Sequence, residues 1–479
     1  MIRQHRSDAH RHMIAKMATL HPRLPIGIPA NDAADLERAA ADLLRAFEPE
    51  RATVELSSEW RPARPSVATF TASNIIGPVV SEESELNTFT VRALRVAIDS
   101  ASYQLDEAGC ALLNRIAERW ALHPQLRDLS TTARMRERVK TWCFEILASG
   151  KFFASVDFIL NKLESELDNH EIWIQLADID VQDCVPMGHV ELRGIGTEQI
   201  AAWMASVRSS GATESTERAT RNKLEMEWQG HTAAVYRGFG DRAAVESLAV
   251  EHAERACALI RMIEPGNLSV VQRSYLQPLT LLSQAGLRAL LIDPGMREFS
   301  LSQTSAWNPP CGIKISRESF AARWEEGLLR YLHELLLADP ASSFQDHLLR
   351  ALLIYSRQRL STDPIEKLIF AISGLETMLF AGARKANIKT TQKRLSALLA
   401  SDETDRKAIY RVVKDAYDLR ASFLHHGNRF SDLHTVEQFL RNSWSLFLHA
   451  IRRHAHWSSI NVYCAELDSV YASRFGLEQ

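Results

Sequence analysis

The sequence predicts an α+β N-terminal region followed by an all-α C-terminal bundle of four to five helices. Three observations predict this division. Seven of the 16 prolines lie in the first 80 residues, and none follows Pro364. From Ser316 onward, apolar residues recur every three or four positions, which is the spacing of one helix face. In the middle of the chain the pattern changes, and EIWIQLADIDV and HVELRGIG resemble two strands separated by the turn-like segment QDCVPMG.

The N-terminal region is predicted to mix helices and strands. A helical patch covers residues 32–47, and three further helices are expected in VRALRVAI, AGCALLNRIAERWAL and FFASVDFILNKLESEL. The segment 209–220 (SSGATESTERAT) has the composition of a linker, and 242–263 is predicted to be a helix. Residues 267–318 alternate between strand-like and turn-like pieces, beginning with LSVVQRSYL.

The C-terminal bundle is predicted from helices separated by short connections. The first three cover 365–380, 389–400 and 405–426, and a fourth begins near Ser431, which is a suitable N-cap residue. The third helix should stop at Gly427, because glycine readily adopts the left-handed conformation that terminates helices. Consecutive amphipathic helices with short loops favour an antiparallel bundle.

Composition and charge divide the chain in a similar way. We expect a mixed N-terminal region at 1–125, an α+β sensing or regulatory body at 126–340 and a helical domain at 341–479. With 46% hydrophobic and 24% charged residues, the chain is neither collagen-like nor a disulfide scaffold nor wholly disordered. The last domain has 19 basic and 14 acidic residues, although the whole chain has a net charge of −3. This basic end is compatible with a polyanionic partner.

Several kinds of site have no support in the sequence. The six cysteines form no C-x-x-C pair, so we expect reduced thiols and no zinc site. There is no G-x-S-x-G, H-E-x-x-H or phosphate-binding glycine loop, and we predict no metal and no cofactor. No run reaches 18 apolar residues, and the polar N-terminus lacks the apolar core of a secretory signal. We therefore expect a cytoplasmic protein that does not enter membranes.

Arg420 is the anomalous residue of the third C-terminal helix. It lies three residues after Tyr417 and four before Leu424, at a position that the helix pattern assigns to an apolar side chain. An unpaired buried charge is costly. The guanidinium must therefore pair with a carboxylate such as Glu376 or Asp418, or reach an open surface.

Two adjacent histidines, His425 and His426, close the same helix. Successive helical residues rotate by about 100°, so His425 lies about 140° around the helix from Arg420 and His426 about 120° in the opposite sense. One regular helix therefore cannot direct Arg420 and a histidine at the same atom. Either the helix end is distorted near Gly427, or two copies of the motif face each other across a dimer.

The run YDLRASFLHHG at 417–427, preceded by FAISGLETML and QKRLSALLA, resembles the HEPN superfamily and is most similar to its Apea-like group. The signature of that superfamily is an arginine followed, after four to six residues, by a histidine. Both His425 and His426 satisfy the spacing from Arg420. The resemblance covers about residues 345–460.

The resemblance implies a helical domain that forms homodimers and acts as a metal-independent endoribonuclease at a composite site made from two motifs. Arg420 and His425 would be catalytic, with His426 as the alternative histidine, and Glu376 and Tyr417 would support the site. Many members act in prokaryotic antiviral defence, in toxin–antitoxin systems or in RNA processing. Other members lack activity and serve as binding modules.

The residue chemistry is compatible with this implication. RNA carries its own nucleophile, the 2′-hydroxyl, so neither a serine nor a metal is required. Histidine exchanges protons near pH 7, and a guanidinium can hold the phosphate oxygens on which charge accumulates. Such cleavage would leave a 2′,3′-cyclic phosphate.

The sequence therefore predicts a cytoplasmic RNA-cleaving effector whose N-terminal body senses a protein or phage-derived trigger, restrains the nuclease or selects the RNA. The alternative is a non-catalytic dimerisation or nucleic-acid-binding module, with the function carried by the N-terminal body. In a nuclease, basic residues near the second C-terminal helix are candidate contacts to the RNA backbone, although such residues usually form a solvated face. These candidates are Arg384, Lys385, Lys389, Lys393 and Arg394.

Overall fold

The structure is a computed structural model of the chain. It describes residues 27–49, 79–83, 88–98, 101–149, 151–264, 268–279, 289–292, 299–302, 313–325, 328–338, 343–380, 387–426 and 432–476. The chain divides into two compact units, Met1–Asn169 with Gly238–Glu246 and His170–Arg237 with Ser247–Gln479. The domain boundaries near residues 125 and 340 stay a prediction.

The first unit combines helices with an antiparallel sheet. Its helices are α1 (Ala30–Ala46), α2 (Glu107–Ala121), α3 (Thr132–Ser149) and α4 (Ser155–Glu166). Its sheet has the order β1-β4-β3-β2, formed by β1 (Glu48–Pro49), β2 (Val79–Glu83), β3 (Thr88–Ile98) and β4 (Ala101–Leu105). The helices predicted at 32–47 and in the two longer segments are confirmed.

The helix predicted for VRALRVAI is wrong, because this segment is part of β3. Residues Leu94 to Ile98 of β3 pair with residues Leu105 to Ala101 of β4 in an antiparallel hairpin. Leu94, Val96 and Ile98 also alternate with a period of two, which suits a strand. The local pattern fits both structures, and the hydrogen bonds of the hairpin decide between them.

A six-stranded sheet lies mainly in the second unit. Its order is β11-β10-β5-β9-β8-β7, and a two-stranded parallel sheet joins β12 to β6. The strands are β5 (Asp168–Leu176), β6 (Ile179–Val181), β7 (Val185–Met187), β8 (Val190–Gly194), β9 (Thr232–Gly240), β10 (Ala289–Ile292), β11 (Phe299–Ser302) and β12 (Ile313–Ile315). The two predicted strand segments are confirmed, but they are not neighbours. The turn-like QDCVPMG contains β7, which forms the hairpin with β8.

Helices follow the strands of the second unit. They are α5 (Thr197–Ser209), α6 (Glu214–Glu227) and α7 (Arg242–Ile263). The helix predicted at 242–263 is confirmed, whereas the linker predicted at 209–220 is wrong, since α6 begins at Glu214. The Thr213 side chain accepts a hydrogen bond from the Thr216 backbone amide and caps the helix. Only Leu224 of α6 is buried, so this largely solvated helix has the composition of a linker.

The C-terminal part of the second unit is helical. Its helices are α8 (Arg317–Glu325), α9 (Leu328–Leu337), α10 (Ser343–Ser356), α11 (Pro364–Leu379), α12 (Ile388–Leu399), α13 (Glu403–His426), α14 (Leu433–Arg452) and α15 (Ile460–Phe475). The four predicted helices are confirmed as α11 to α14. The N-cap of α14 is Asp432, whose carboxylate accepts from the Thr435 amide, and not Ser431. Ser431 and Gly427 lie outside the described residues.

Gly374 allows α11 to pack closely on α10. A Cβ atom at this position would lie 2.8 Å from Cβ of Tyr355 and 3.0 Å from the carbonyl oxygen of Ala351. Tyr355 is completely buried and donates a hydrogen bond to the Leu440 carbonyl on α14. This contact fixes α11, which carries Glu376, against the rest of the bundle.

The segment 268–276, predicted to be strand-like, contains no strand and is held by buried cations. Lys367 of α11 donates to the Gln272 carbonyl oxygen at 2.6 Å, and Arg359 donates to the same oxygen at 3.3 Å. Arg359 also pairs with the buried Glu264 at 3.0 Å. Arg359 and Lys367 thus lie close together at this carbonyl, and burial together with the charge of Arg359 lowers the pKa of Lys367 to about 8.

We predict that Lys367 makes the free energy of unfolding depend on pH in the alkaline range. Between pH 8 and about 10 the unfolded chain holds a proton on this lysine that the folded chain has released, so the free energy of unfolding rises with pH. In Lys367→Met this contribution, up to about 3 kcal/mol, should disappear. Urea unfolding between pH 7 and pH 10 measures it, with Lys407→Met as the exposed control. Parallel pH curves for the wild type and Lys367→Met would contradict the prediction.

Candidate functional site

The side chains of Glu376, Thr391, Tyr417 and Arg420 meet where α11, α12 and α13 pack together. The Tyr417 hydroxyl donates to Oε1 of Glu376 at 3.0 Å and lies 3.3 Å from Oγ1 of Thr391. Nη1 of Arg420 is 3.7 Å from the same Oε1 atom. One carboxylate oxygen of α11 is thus close to two side chains of α13.

Arg420 is neither sealed in the core nor fully solvated. Its side chain keeps 31% of its exposure, and its contact with Glu376 is an ion pair without a hydrogen bond. Nε of Arg420 is buried, and no atom of the described residues accepts a hydrogen bond from it. Of the two partners that the sequence suggests, Glu376 lies beside the guanidinium, whereas Asp418 is on the exposed side of α13.

Tyr417 remains protonated in this environment. Burial raises the pKa of its phenol, and the negative charge of Glu376 raises it further, while the hydrogen bond with Thr391 opposes these effects. Because the phenol proton is donated to Glu376, the Thr391 hydroxyl donates to the tyrosine oxygen. Tyr417 therefore acts as a fixed donor to the carboxylate.

His425 lies on a different face of α13 from Arg420. The helix continues without interruption through His426, so the ideal rotation of about 140° between Arg420 and His425 applies. A distorted helix end is not observed up to this residue. His425 is exposed, whereas the side chain of His426 lies outside the described residues.

The predicted RNA contacts fall in different environments. Arg384 and Lys385 lie outside the described residues, and Lys389 is exposed in the first turn of α12. Lys393 is stacked over the Tyr471 ring, 5.6 Å from its centroid. Arg394 forms a bidentate pair with Asp468, at 2.9 and 2.7 Å, and also donates to the Leu379 carbonyl. Arg394 thus connects α12 to α15 and to the C-terminal end of α11.

The outer face of α13 carries cations that the sequence analysis did not single out. Lys407, Arg411 and Lys414 are exposed and lie within about 60° of one another and of His425 around the helix. Lys407 is 3.7 Å from Glu403. These three cations are spaced by four and three residues, which is a signal for one helix face that the sequence does contain. The contact of Thr391 joins two helices, and no local sequence pattern predicts it.

Within the described residues, no group of three or more histidine, cysteine or acidic side chains could hold a metal ion. The same part of the chain contains no helix that is long and apolar enough to cross a membrane.

No family model matches this chain, and no match is found among the curated proteins or the solved structures. The interpretation of the site therefore depends on the geometry of its own residues. Those residues offer a partly exposed guanidinium, a partly buried carboxylate with a fixed donor, and an imidazole about 140° away around the same helix.

We predict that Arg394 stabilises the fold and does not contact RNA. Arg394→Gln removes charged hydrogen bonds to Asp468 and Leu379 and should lower the free energy of unfolding by about 2 kcal/mol. Lys389→Gln, on the same helix, should change it by no more than about 0.5 kcal/mol. Denaturant unfolding of both variants measures the difference. If Arg394→Gln weakened RNA binding at unchanged stability, this interpretation would be wrong.

Proposed function

We propose that the protein is a metal-independent endoribonuclease of the HEPN type, with Arg420 and His425 as its catalytic residues. The observation that carries this proposal is the state of Arg420, which lies in a packed helix yet keeps a partly exposed guanidinium that is 3.7 Å from Glu376 and makes no hydrogen bond to it. Glu376 and Tyr417 support this guanidinium, and the exposed His425 follows Arg420 after four intervening residues. Arg359, which has a structural role, instead donates to the Gln272 carbonyl and pairs with Glu264 at 3.0 Å.

The proposed reaction uses the RNA as its own nucleophile. The 2′-hydroxyl gives up its proton as its oxygen attacks the adjacent phosphorus, the bond to the 5′-oxygen breaks, and the 5′-oxygen takes up a proton. His425 acts as general acid or base in this exchange, with His426 as the alternative, and Arg420 holds the phosphate oxygens. The products are a 2′,3′-cyclic phosphate and a 5′-hydroxyl.

We propose that two chains form the complete site. Arg420 and His425 of one chain point in directions about 140° apart, so Arg420 of one copy would meet His425 of a second. Leu424 lies only about 40° from Arg420 around the helix, and it is 57% exposed. This apolar surface beside the guanidinium supports a homodimer contact at the end of α13.

The remaining α+β body is proposed to be a sensor or regulator that responds to a protein or phage-derived trigger. Prokaryotic antiviral defence or toxin-like RNA cleavage in the cytoplasm is the setting that fits such an effector. Segment 268–276 supports a regulatory link, because it follows α7 and is bound by Lys367 at the start of the helix that carries Glu376.

A non-catalytic dimerisation or nucleic-acid-binding module is the second candidate function. The contact between Arg420 and Glu376 favours it, because a carboxylate beside the guanidinium competes with phosphate. The two candidates differ in whether the bound RNA is cleaved.

We predict that the purified protein cleaves RNA and that Arg420→Ala and His425→Ala each lower the rate by about 10²- to 10⁴-fold. Gel analysis of labelled RNA and detection of the cyclic phosphate measure this, in the presence of EDTA. His426→Ala identifies which histidine acts. Arg441→Ala, an exposed arginine of α14 that pairs with Glu437, is the matched control and should retain activity.

Equal cleavage by the wild type, Arg420→Ala and His425→Ala would exclude the proposed site. Binding of RNA without cleavage by the wild type would support the non-catalytic module instead.

We predict that the outer face of α13 binds the RNA backbone next to His425. Replacing Lys407, Arg411 and Lys414 by Gln should lower the affinity for 2′-O-methyl RNA, which lacks the attacking hydroxyl. The slope of log K against log salt should become shallower by about 0.7 for each lost phosphate contact, or about 2 in total. Fluorescence anisotropy at several salt concentrations measures the slope.

The matched control replaces three cations of α6, Arg218, Arg221 and Lys223, by Gln. It should leave the slope unchanged. Equal effects of both triple variants would mean that the affinity for RNA depends only on the net charge of the protein, which would contradict the prediction.

A further inference from the structure

Tyr417 donates a hydrogen bond to the carboxylate oxygen of Glu376 that lies beside Arg420. Oε1 of Glu376 accepts the phenol proton at 3.0 Å, while Nη1 of Arg420 stays 3.7 Å away. A hydrogen-bonded guanidinium–carboxylate contact has a length of about 2.7–2.9 Å. Tyr417 therefore donates a hydrogen bond to Glu376, whereas Arg420 lies near the same carboxylate without a hydrogen bond to it.

Burial makes this arrangement rigid. Thr391 is completely buried, Tyr417 is 8% exposed, and the Glu376 side chain is 20% exposed. Because Thr391 donates to the phenol oxygen from α12, the hydroxyl of Tyr417 is fixed on one side by α12 and on the other by α11. The more exposed partner is Arg420, and its guanidinium is the group that a ligand can reach.

We propose that Tyr417 is a positioning residue that keeps Arg420 available for a phosphate by hydrogen-bonding Glu376, and that Thr391 holds Tyr417 in place. The inference rests on the proposed function, since it concerns how the same site binds the RNA backbone. Glu376 keeps the guanidinium at its position by charge, and the tyrosine proton on Oε1 weakens the pull of that oxygen on Arg420, so the pair stays at 3.7 Å without a hydrogen bond. The arginine is thus both positioned and free to bind an anion.

This role has a distinct consequence for substitutions. In Tyr417→Phe, Oε1 of Glu376 loses its donor, and the partly buried carboxylate should move onto the neighbouring guanidinium, which can replace the lost hydrogen bond. Arg420 is then withdrawn from phosphate. In Glu376→Gln, the neutral amide cannot form the ion pair, so the loss of the tyrosine hydroxyl should no longer matter.

The test compares the wild type, Tyr417→Phe, Glu376→Gln and the double variant in RNA cleavage and in affinity for 2′-O-methyl RNA. Tyr417→Phe should reduce both by about tenfold, the size expected for one hydrogen bond to a charged group. The double variant should behave like Glu376→Gln. Thr391→Val, a milder change at the same contact, should reduce both in the same direction as Tyr417→Phe.

A purely structural role for the hydroxyl gives a different result. The loss would then persist in the Glu376→Gln background and would follow the melting temperature. Tyr410→Phe is the matched control. Tyr410 lies on α13, as Tyr417 does, and the substitution removes the contact of 2.9 Å between its hydroxyl and that of Tyr471 on α15. It should leave RNA binding unchanged. A reduction of equal size in Tyr410→Phe, or additive effects in the double variant, would overturn the proposal.

A second readout does not depend on RNA. In a crystal structure of ligand-free Tyr417→Phe, the distance from Glu376 to Arg420 should fall to about 2.8 Å. A distance that stays near the wild-type value would refute the positioning role. If the wild type neither cleaves nor binds RNA, the proposed function fails, while this distance still decides whether Tyr417 controls Arg420.

Discussion

One carboxylate, Glu376, connects the helices that form the candidate site. It lies on α11, accepts the hydrogen bond of Tyr417 from α13, and attracts Arg420 one turn further along the same helix. Thr391 extends the contact to α12. A charge in a packed interface requires a partner, and here Tyr417 donates a hydrogen bond to it while Arg420 balances its charge from 3.7 Å. The position of Arg420, and with it the proposed binding of phosphate, depends on this arrangement.

Buried cations hold the irregular parts of the second unit in a comparable way. Arg359 and Lys367 share the Gln272 carbonyl, and the completely buried Arg261 donates to the Leu276 carbonyl at 2.6 Å. A segment without regular structure has backbone carbonyl groups that no helix or sheet satisfies, and those that face buried side chains need donors there. The side chains of helices supply those donors, so the path of segment 268–276 is determined by residues distant in sequence.

The helices of the C-terminal region could be predicted from the sequence because the spacing of apolar residues is a local pattern. Residues spaced by three and four positions predicted α11 to α14, and the short connections between them predicted a bundle. The same local reading was wrong at β3, where a hairpin with β4 replaced the expected helix, and at α6, where a solvated helix had the composition of a linker. At β3 the deciding contacts lie outside the segment, in β4, whereas the Thr213 cap of α6 lies inside a segment whose polar composition concealed the helix.

The candidate site shows the same limit. The sequence alone determined that Arg420 interrupts an apolar stripe, that a histidine follows after four residues, and that one regular helix separates the two by about 140°. The tertiary structure decided that Glu376 and not Asp418 is the neighbour, that Tyr417 holds its oxygen, and that Arg394 pairs with Asp468. Helical spacing is fixed by backbone geometry within one segment. Which side chains meet across α11, α12, α13 and α15 depends on the packing of whole helices, for which no single segment carries a signal.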